Sequence, residues 1–146
     1  DPGSLLYLLR HGVSLDELDN ALEHESGLTA LAGTGDVAAL EVDESPEARL
    51  ALDLYCYRIA QAVAAMATAL GGLDALVFTA GVGEHSAHVR DAVCRRLGFL
   101  GVSVDERGNN SITGDTEISL SAASVRVYVI PSREDIVIAR AVRTLL

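Results

Sequence analysis

Two short segments of the sequence combine glycines and carboxylates in the way that ligand-binding loops do. The first, Gly81-Val82-Gly83-Glu84, follows an apolar run at 73–79, and the second, which contains Glu134, follows a β-rich run at 125–130. Glycines let a backbone approach a flat or phosphorylated ligand without side-chain obstruction, and the N–H groups of a following helix favour an anion. One carboxylate such as Glu134 suffices beside a nucleotide, because magnesium often binds through one or two carboxylates and substrate phosphates.

The residues alone leave a plainer interpretation of each segment open. Glycines after a strand are common in tight turns, and Ser86 stands where a dinucleotide-binding fingerprint needs its third glycine. A carboxylate at Glu134, in the first turn of a helix, would stabilise that helix by about 0.3–1 kcal/mol through the helix dipole. His85 and His88 could share a metal with Glu84, but no further ligand cluster is evident, so we favour a solvated helix start.

Composition and charge exclude several classes of function. The 146 residues carry 11 basic and 21 acidic side chains, a net charge of −10, which repels nucleic acids and anionic membranes. All the basic residues are arginines, so a P-loop lysine and a lysine Schiff base are both excluded. The longest apolar stretch is interrupted by Asp53, Arg58 and Gln61, which predicts no transmembrane helix.

The two cysteines and the first residues predict a cytoplasmic protein. Cys56 and Cys94 lie in apolar helical contexts without CxxC spacing, which is typical of reduced thiols. The chain opens on Asp1-Pro2-Gly3, with no basic segment followed by an apolar one, so we expect no secretory signal.

The elements that must position the two loops follow from caps and periodicity. Ser14 and Glu17 predict a capping box, and Ser45 with Pro46 predicts the start of a long helix that ends before Gly71. The core stripe of this helix is predicted to be Leu52, Cys56, Ile59, Val63, Met66 and Leu70.

The two loops each join a predicted strand to a predicted helix. The run 73–79 predicts a strand that is buried on both faces. Ser86 predicts the cap of the helix that follows, and Ser132 with Asp135 predicts a box-like cap of the last helix. Two strand–loop–helix units imply a partly parallel sheet. We therefore predict an α/β fold, a mixed sheet flanked by helices, in a single domain over residues 1–146.

Four motifs in this order resemble segments of the acetate and propionate kinase family. The family patterns are DPG, SGLLG, FTGGIGENS followed by xxVR, and VIPTNEE followed by xxIAR. The similar segments here are Asp1-Pro2-Gly3, Ser26-Gly27-Leu28, residues 78–86 with Val89-Arg90, and residues 129–135 with Ile138-Ala139-Arg140. The resemblance covers essentially the whole chain, although it matches only the last part of such an enzyme.

The resemblance implies the nucleotide-side domain of a kinase with a ribonuclease-H-like fold, as in actin, sugar kinases and heat-shock ATPases. The parent enzyme would convert ATP and acetate to ADP and acetyl phosphate. The glycine loop would hold the adenosine end of ATP or ADP, which assigns nucleotide binding to Gly81, Val82, Gly83, Glu84 and His85. Asp36 and Val37 lie in the counterpart of the family's adenine-side segment SSDxR, and Glu134 corresponds to its Mg²⁺-linked glutamate.

The family's acetate pocket, catalytic arginines and histidine, and phosphate loop precede the matched part. We therefore expect no catalytic residue in this chain, no turnover by the chain alone, and a homodimeric parent, as the family implies. Ala38 stands where the family has arginine, and His85 where it has asparagine. These departures favour one alternative, a divergent nucleotide-binding domain. A non-catalytic domain whose apolar helices mediate dimerisation stays open as well, and so does part of a propionate kinase, because the acetate pocket lies outside the matched part.

Overall fold

The computed structural model describes residues 1–145, and the chain divides into two compact units, Asp1–Tyr55 and Cys56–Leu146. The first unit is helical. Its helices are α1 (Pro2–Arg10), α2 (Leu15–His24), α3 (Gly27–Ala32), α4 (Val37–Val42) and the first part of α5 (Pro46–Leu70).

The starts of α2 and α5 are those that the sequence predicts, and Asp1 caps α1. The Asp1 carboxylate accepts a hydrogen bond from the Gly3 N–H at 2.8 Å. Ser14 and Glu17 form both bonds of the capping box. The bounds of α5 are also the predicted ones, because Pro46 is suited to a first helical position and glycines follow Leu70.

The second unit holds a small mixed sheet, which confirms the predicted α/β class. Parallel strands β1 (Ala75–Phe78) and β3 (Arg126–Val129) lie side by side, and β2 (Thr116–Glu117) is antiparallel to β3, so the order is β1-β3-β2. The helices are α6 (Ala80–His85), α7 (Ala87–Arg96), a 3₁₀ turn (Gly98–Leu100), α8 (Glu106–Asn109) and α9 (Glu134–Leu145).

Two burial predictions are wrong. In β1, Val77 is 47% exposed and only Phe78 is buried, because this edge strand packs one face on the core and leaves the other open. In α5, Met66 and Leu70 are exposed, and the small side chains of Ala60 and Ala67 take the core positions instead. The periodicity was correct, but the buried face is rotated toward the alanines, which allow close packing.

The predicted cap of α9 does not form, since that helix begins at Glu134, two residues after Ser132. No residue of α9 is buried, and its apolar side chains Ile136, Val137, Ile138 and Val142 are all exposed. Among residues 1–145, no helix has both the length and the apolarity needed to cross a membrane.

Both cysteines are buried and free of disulfides, in agreement with the prediction of reduced thiols. Burial raises the pKa of the Cys94 thiol to about 12, with a smaller contribution from Asp91 that Arg90 opposes. At neutral pH Cys94 is therefore a protonated core side chain.

Stability should fall with rising pH above the ordinary cysteine pKa of 9.0, because the unfolded thiol then loses its proton while native Cys94 keeps it. The contribution is fully present below pH 9 and declines by about 1.4 kcal/mol per pH unit toward pH 12. Urea unfolding of the wild type and of Cys94→Ala between pH 8 and about 11 measures this. The variant should be less stable at pH 8 but show the shallower decline, and equal slopes would contradict the raised pKa.

Candidate functional site

The two predicted ligand loops leave the sheet at the same edge. Phe78 pairs with Val129 at the carboxyl ends of the parallel strands β1 and β3. The Ile130 N–H donates to the Phe78 carbonyl oxygen at 2.9 Å, so the pairing continues one residue further. Open α/β sheets bind ligands at this edge. The structure thus brings the segment 81–85 next to the segment that leads into Glu134.

The glycine segment is not a loop, as its sequence suggested, but the short helix α6. Ala80 begins it with a φ of +59°, and it is the only non-glycine residue among 1–145 with a positive φ. A Cβ at Gly83 would lie 3.4 Å from the Phe78 carbonyl carbon, so glycine here lets α6 lie against the end of β1. A Cβ at Gly81 would meet no atom within 4 Å, and neither glycine needs a positive φ. The fold therefore does not require a glycine at position 81. The missing side chain leaves open space beside the end of β1.

The buried guanidinium of Arg90, which is 2% exposed, holds the carboxyl end of α6. One terminal nitrogen donates to the carbonyl oxygens of Gly83 and Glu84, both at 2.9 Å. The Nε and the other terminal nitrogen donate to the Oδ1 and the carbonyl oxygen of Asn109, both at 2.7 Å. Carbonyl oxygens at the end of a helix lack hydrogen-bond partners within that helix. Here the N–H groups of the Arg90 guanidinium are their partners.

The side chain of Glu84 joins the two loops directly. Its Oε1 accepts a hydrogen bond from the Ser132 N–H at 2.7 Å, between residues 48 positions apart in the chain. A bond of this length to a carboxylate is charge-assisted and among the stronger hydrogen bonds in proteins. Glu84 is only half-buried, and Ser132 is exposed.

His85 is exposed, and its ring bonds to its own helix. The Nδ1 lies 2.8 Å from the Gly81 carbonyl oxygen. Because a carbonyl oxygen only accepts, Nδ1 carries the proton in this arrangement. Val82, between the two glycines, is half-buried.

Glu134 is exposed at the first position of α9. Within residues 1–145 its carboxylate makes no hydrogen bond or ion pair, whereas the neighbouring Arg133 pairs with Asp115 at 2.6 Å. This ion pair and its hydrogen bond raise the pKa of Arg133. No group of three or more metal-ligating side chains occurs in the described residues. A single unpaired carboxylate that follows the carboxyl end of β3 is compatible with a magnesium ion whose other ligands are phosphate oxygens and water.

Asp36 and Val37 belong to the first compact unit. The Asp36 carboxylate caps α4 by accepting from the Ala38 N–H at 3.0 Å. The Val37 side chain is 8% exposed, so a ligand would meet its backbone rather than its side chain. The assignment of both residues to a nucleotide stays a prediction.

Sequence reasoning missed two residues of this site. Arg90 belongs to the Val89-Arg90 pair of the family resemblance, but its buried role was not predicted. The buried Asn109, whose Nδ2 donates to the Ala87 carbonyl oxygen, was not predicted as a site residue either. The position of Arg90, directly after the core residue Val89 and one turn before Val93 and Cys94, indicates that it borders the buried face of α7.

Comparisons with known proteins find one family. The sequence pattern of the Acetokinase family matches residues 1–140. The chain is 42% identical over 141 residues to the acetate kinase of Protochlamydia amoebophila, a match that covers 96% of this chain and 36% of that protein. The chain thus spans just over a third of the length of the curated relatives it matches.

Solved structures of the same kind share the fold. The acetate kinase of Porphyromonas gingivalis superimposes with a TM-score of 0.87 at 34% identity, over 99% of this chain and 38% of that one. A propionate kinase from Francisella tularensis gives a TM-score of 0.83 at 33% identity, over 95% of this chain and 36% of that one. These matches confirm the expected actin-like fold.

Replacing Ala80 with glycine should stabilise the protein. A left-handed backbone costs an alanine about 1–2 kcal/mol, and glycine removes that cost while losing about 0.5–1 kcal/mol to the entropy of the unfolded chain. The expected net gain is about 0.5–1 kcal/mol in the free energy of unfolding, measured by urea denaturation.

The matched control is Ala65→Gly, at an exposed position inside α5. Glycine there should cost about 0.5–1 kcal/mol, as in other exposed helix interiors. A loss of stability in Ala80→Gly similar to that of the control would contradict the positive φ.

Proposed function

The chain belongs to the acetokinase family, and we propose that it is the nucleotide-binding part of an acetate kinase. The parent reaction transfers a phosphoryl group from ATP to acetate and forms ADP and acetyl phosphate. The observation that carries the proposal is the shared strand edge, where the open space over Gly81 adjoins the segment that bears the unpaired carboxylate of Glu134.

In this proposal the nucleoside lies along the backbone of Gly81, Val82, Gly83, Glu84 and His85. The missing side chain at Gly81 admits a flat ring system to the backbone, and Arg90 keeps that backbone rigid from the protein side. Asp36 and Val37 are proposed as nucleotide-binding residues on the family resemblance alone. Rigid positioning matters because phosphoryl transfer depends almost entirely on alignment and charge stabilisation.

Glu134 is the residue that would hold Mg²⁺, together with phosphate oxygens and water. When bound, the ion supplies positive charge to the phosphates, where negative charge develops during transfer. The carboxylate is available for that role, since it is exposed and forms no ion pair within residues 1–145.

The remainder of the reaction belongs to the rest of a longer enzyme. The relatives are nearly three times as long as the matched segment, and we propose that the acetate site and the catalytic residues lie in their additional part. The isolated chain would then bind nucleotide without turnover. The exposed apolar side chains of α9 support this proposal, because such a surface is normally covered.

The proposal also includes the carboxylate substrate, the oligomeric state and the cellular location of the parent enzyme. A propionate-specific parent is the alternative, supported by the Francisella tularensis structure. We propose a homodimer, as the family resemblance implies, and the exposed Leu50 and Leu54, one turn apart on α5, support it. The reduced, buried cysteines support a cytoplasmic location.

Titration of the chain with ADP tests the nucleotide site. Gly81→Val should weaken ADP binding at least tenfold, about 1.4 kcal/mol, because the new side chain occupies the open space that the base or ribose needs. Isothermal calorimetry gives the affinity, and circular dichroism checks the fold.

Gly98→Val is the matched control, since a Cβ at Gly98 also meets no atom within 4 Å and that glycine also lacks a positive φ. Its ADP affinity should stay within about twofold of the wild type. An equal affinity in all three proteins would mean that the Gly81 segment has only a structural role.

The role of Glu134 appears in the dependence of binding on magnesium. In the wild type, Mg²⁺ should raise the affinity for ADP, and Glu134→Ala should remove most of that increase while leaving metal-free binding unchanged. The adjacent, equally exposed Asp135→Ala is the control and should retain the increase. Both variants should lose well under about 2 kcal/mol of stability, the upper bound for a helix-dipole charge. Equal magnesium effects in the wild type and Glu134→Ala would leave only the dipole role.

A further inference from the structure

The carboxylate of Glu84 is bonded to the Ser132 N–H, and we propose that Glu84 is a positioning residue that sets where Glu134 lies. In this inference Glu84 acts on the magnesium-binding end of the site through the Ser132 backbone. The inference rests on the proposed function, and it replaces direct nucleotide contact as the role of the Glu84 side chain.

The first step is that the backbone of Glu84 cannot move freely. The carbonyl oxygens of Gly83 and Glu84 both accept bonds from the Arg90 guanidinium, which is fixed in turn by Asn109. Gly83 lies close against Phe78 at the end of β1. The side chain of Glu84 therefore extends from a fixed point on the sheet edge.

The second step is that Ser132 is held by this side chain. Its N–H donates to Glu84 Oε1 at 2.7 Å, although both residues lie near the surface, where water competes for such a bond. Pro131 precedes Ser132 and restricts the backbone there. Together these restraints define the path of the chain from β3 to α9.

The third step is that the start of α9 has few other restraints. No residue of α9 is buried, so the helix is only lightly packed within residues 1–145. Besides the Glu84 bond, the side-chain contact at this start is the exposed pair of Arg133 with Asp115. That pair joins two mobile side chains and is weakened by solvent, whereas Glu84 holds the backbone N–H of Ser132 itself. In this inference the Glu84 bond is therefore the side-chain tether that sets the backbone path to Glu134.

Three variants separate positioning from direct contact. Glu84→Ala removes the acceptor, Glu84→Gln keeps an acceptor oxygen without the charge, and Asp74→Ala removes an exposed carboxylate at the opposite end of β1 as a control. For each protein, calorimetry measures ADP affinity with Mg²⁺ and with a chelator, and NMR follows the Ser132 and Glu134 amide signals without ligand.

Positioning predicts a specific combination of results. Glu84→Ala should shift both amide signals more than the control does and reduce the magnesium-dependent gain in ADP affinity at least fivefold. Its metal-free ADP affinity should stay within about twofold of the wild type, and Glu84→Gln should recover most of the magnesium effect. In a Glu134→Ala background, Glu84→Ala should have no further effect, as expected for residues that act through one another.

Other outcomes overturn the inference. An equal loss of ADP affinity with and without magnesium would make Glu84 a nucleotide contact, and an unmoved Ser132 signal would show that the tether is absent in solution. If the wild-type chain binds no ADP, the proposed function fails. The amide signals of Ser132 and Glu134 then decide by themselves whether Glu84 positions the start of α9.

Discussion

The candidate site depends on one buried cation, the guanidinium of Arg90. An arginine cannot be neutralised at physiological pH, so a buried one must donate its N–H hydrogen bonds to acceptors that lie around it. The fold meets this requirement with carbonyl oxygens of α6 and with the side chain and backbone of Asn109. The same bonds that accommodate the charge also fix the helix end beside the strand edge. A folding constraint and the shape of the proposed ligand-binding surface thus have a common origin.

At the surface proposed to face the nucleotide, the backbone is more available for contact with a ligand than the side chains are. Gly81 presents no side chain, Glu84 is engaged with Ser132, and the ring of His85 is bonded to the Gly81 carbonyl. The imidazole of His85 is thus bonded within its own helix. Binding of a nucleotide through backbone groups would depend on the path of the chain. Arg90 and Glu84 hold that path.

The features that the sequence predicted correctly are those encoded by neighbouring residues. Ser14 with Glu17 forms its capping box and α5 runs from Pro46 to Leu70, because caps and helix breakers act within one turn. The shared edge of β1 and β3 followed from the order of strands and helices. The Glu84–Ser132 bond could not be predicted in this way, because it joins residues 48 positions apart whose contact exists only after the strands pair. The buried face of α5 was misassigned for a similar reason, since tertiary packing selected Ala60 and Ala67 over Met66. The nucleotide and magnesium assignments remain predictions.

The position of β1 at the border of the sheet affects how the polypeptide behaves in solution. Within residues 1–145, β1 pairs with β3 on one side, and its other side offers main-chain donors and acceptors to the surroundings. Val77 is exposed on the same strand, and no lysine is available anywhere in the chain to discourage unwanted pairing. Such a border accepts an added strand from any extended peptide. In a concentrated sample of the isolated chain, intermolecular β-pairing there is the expected route to aggregation, and a low working concentration or a capping peptide would counter it.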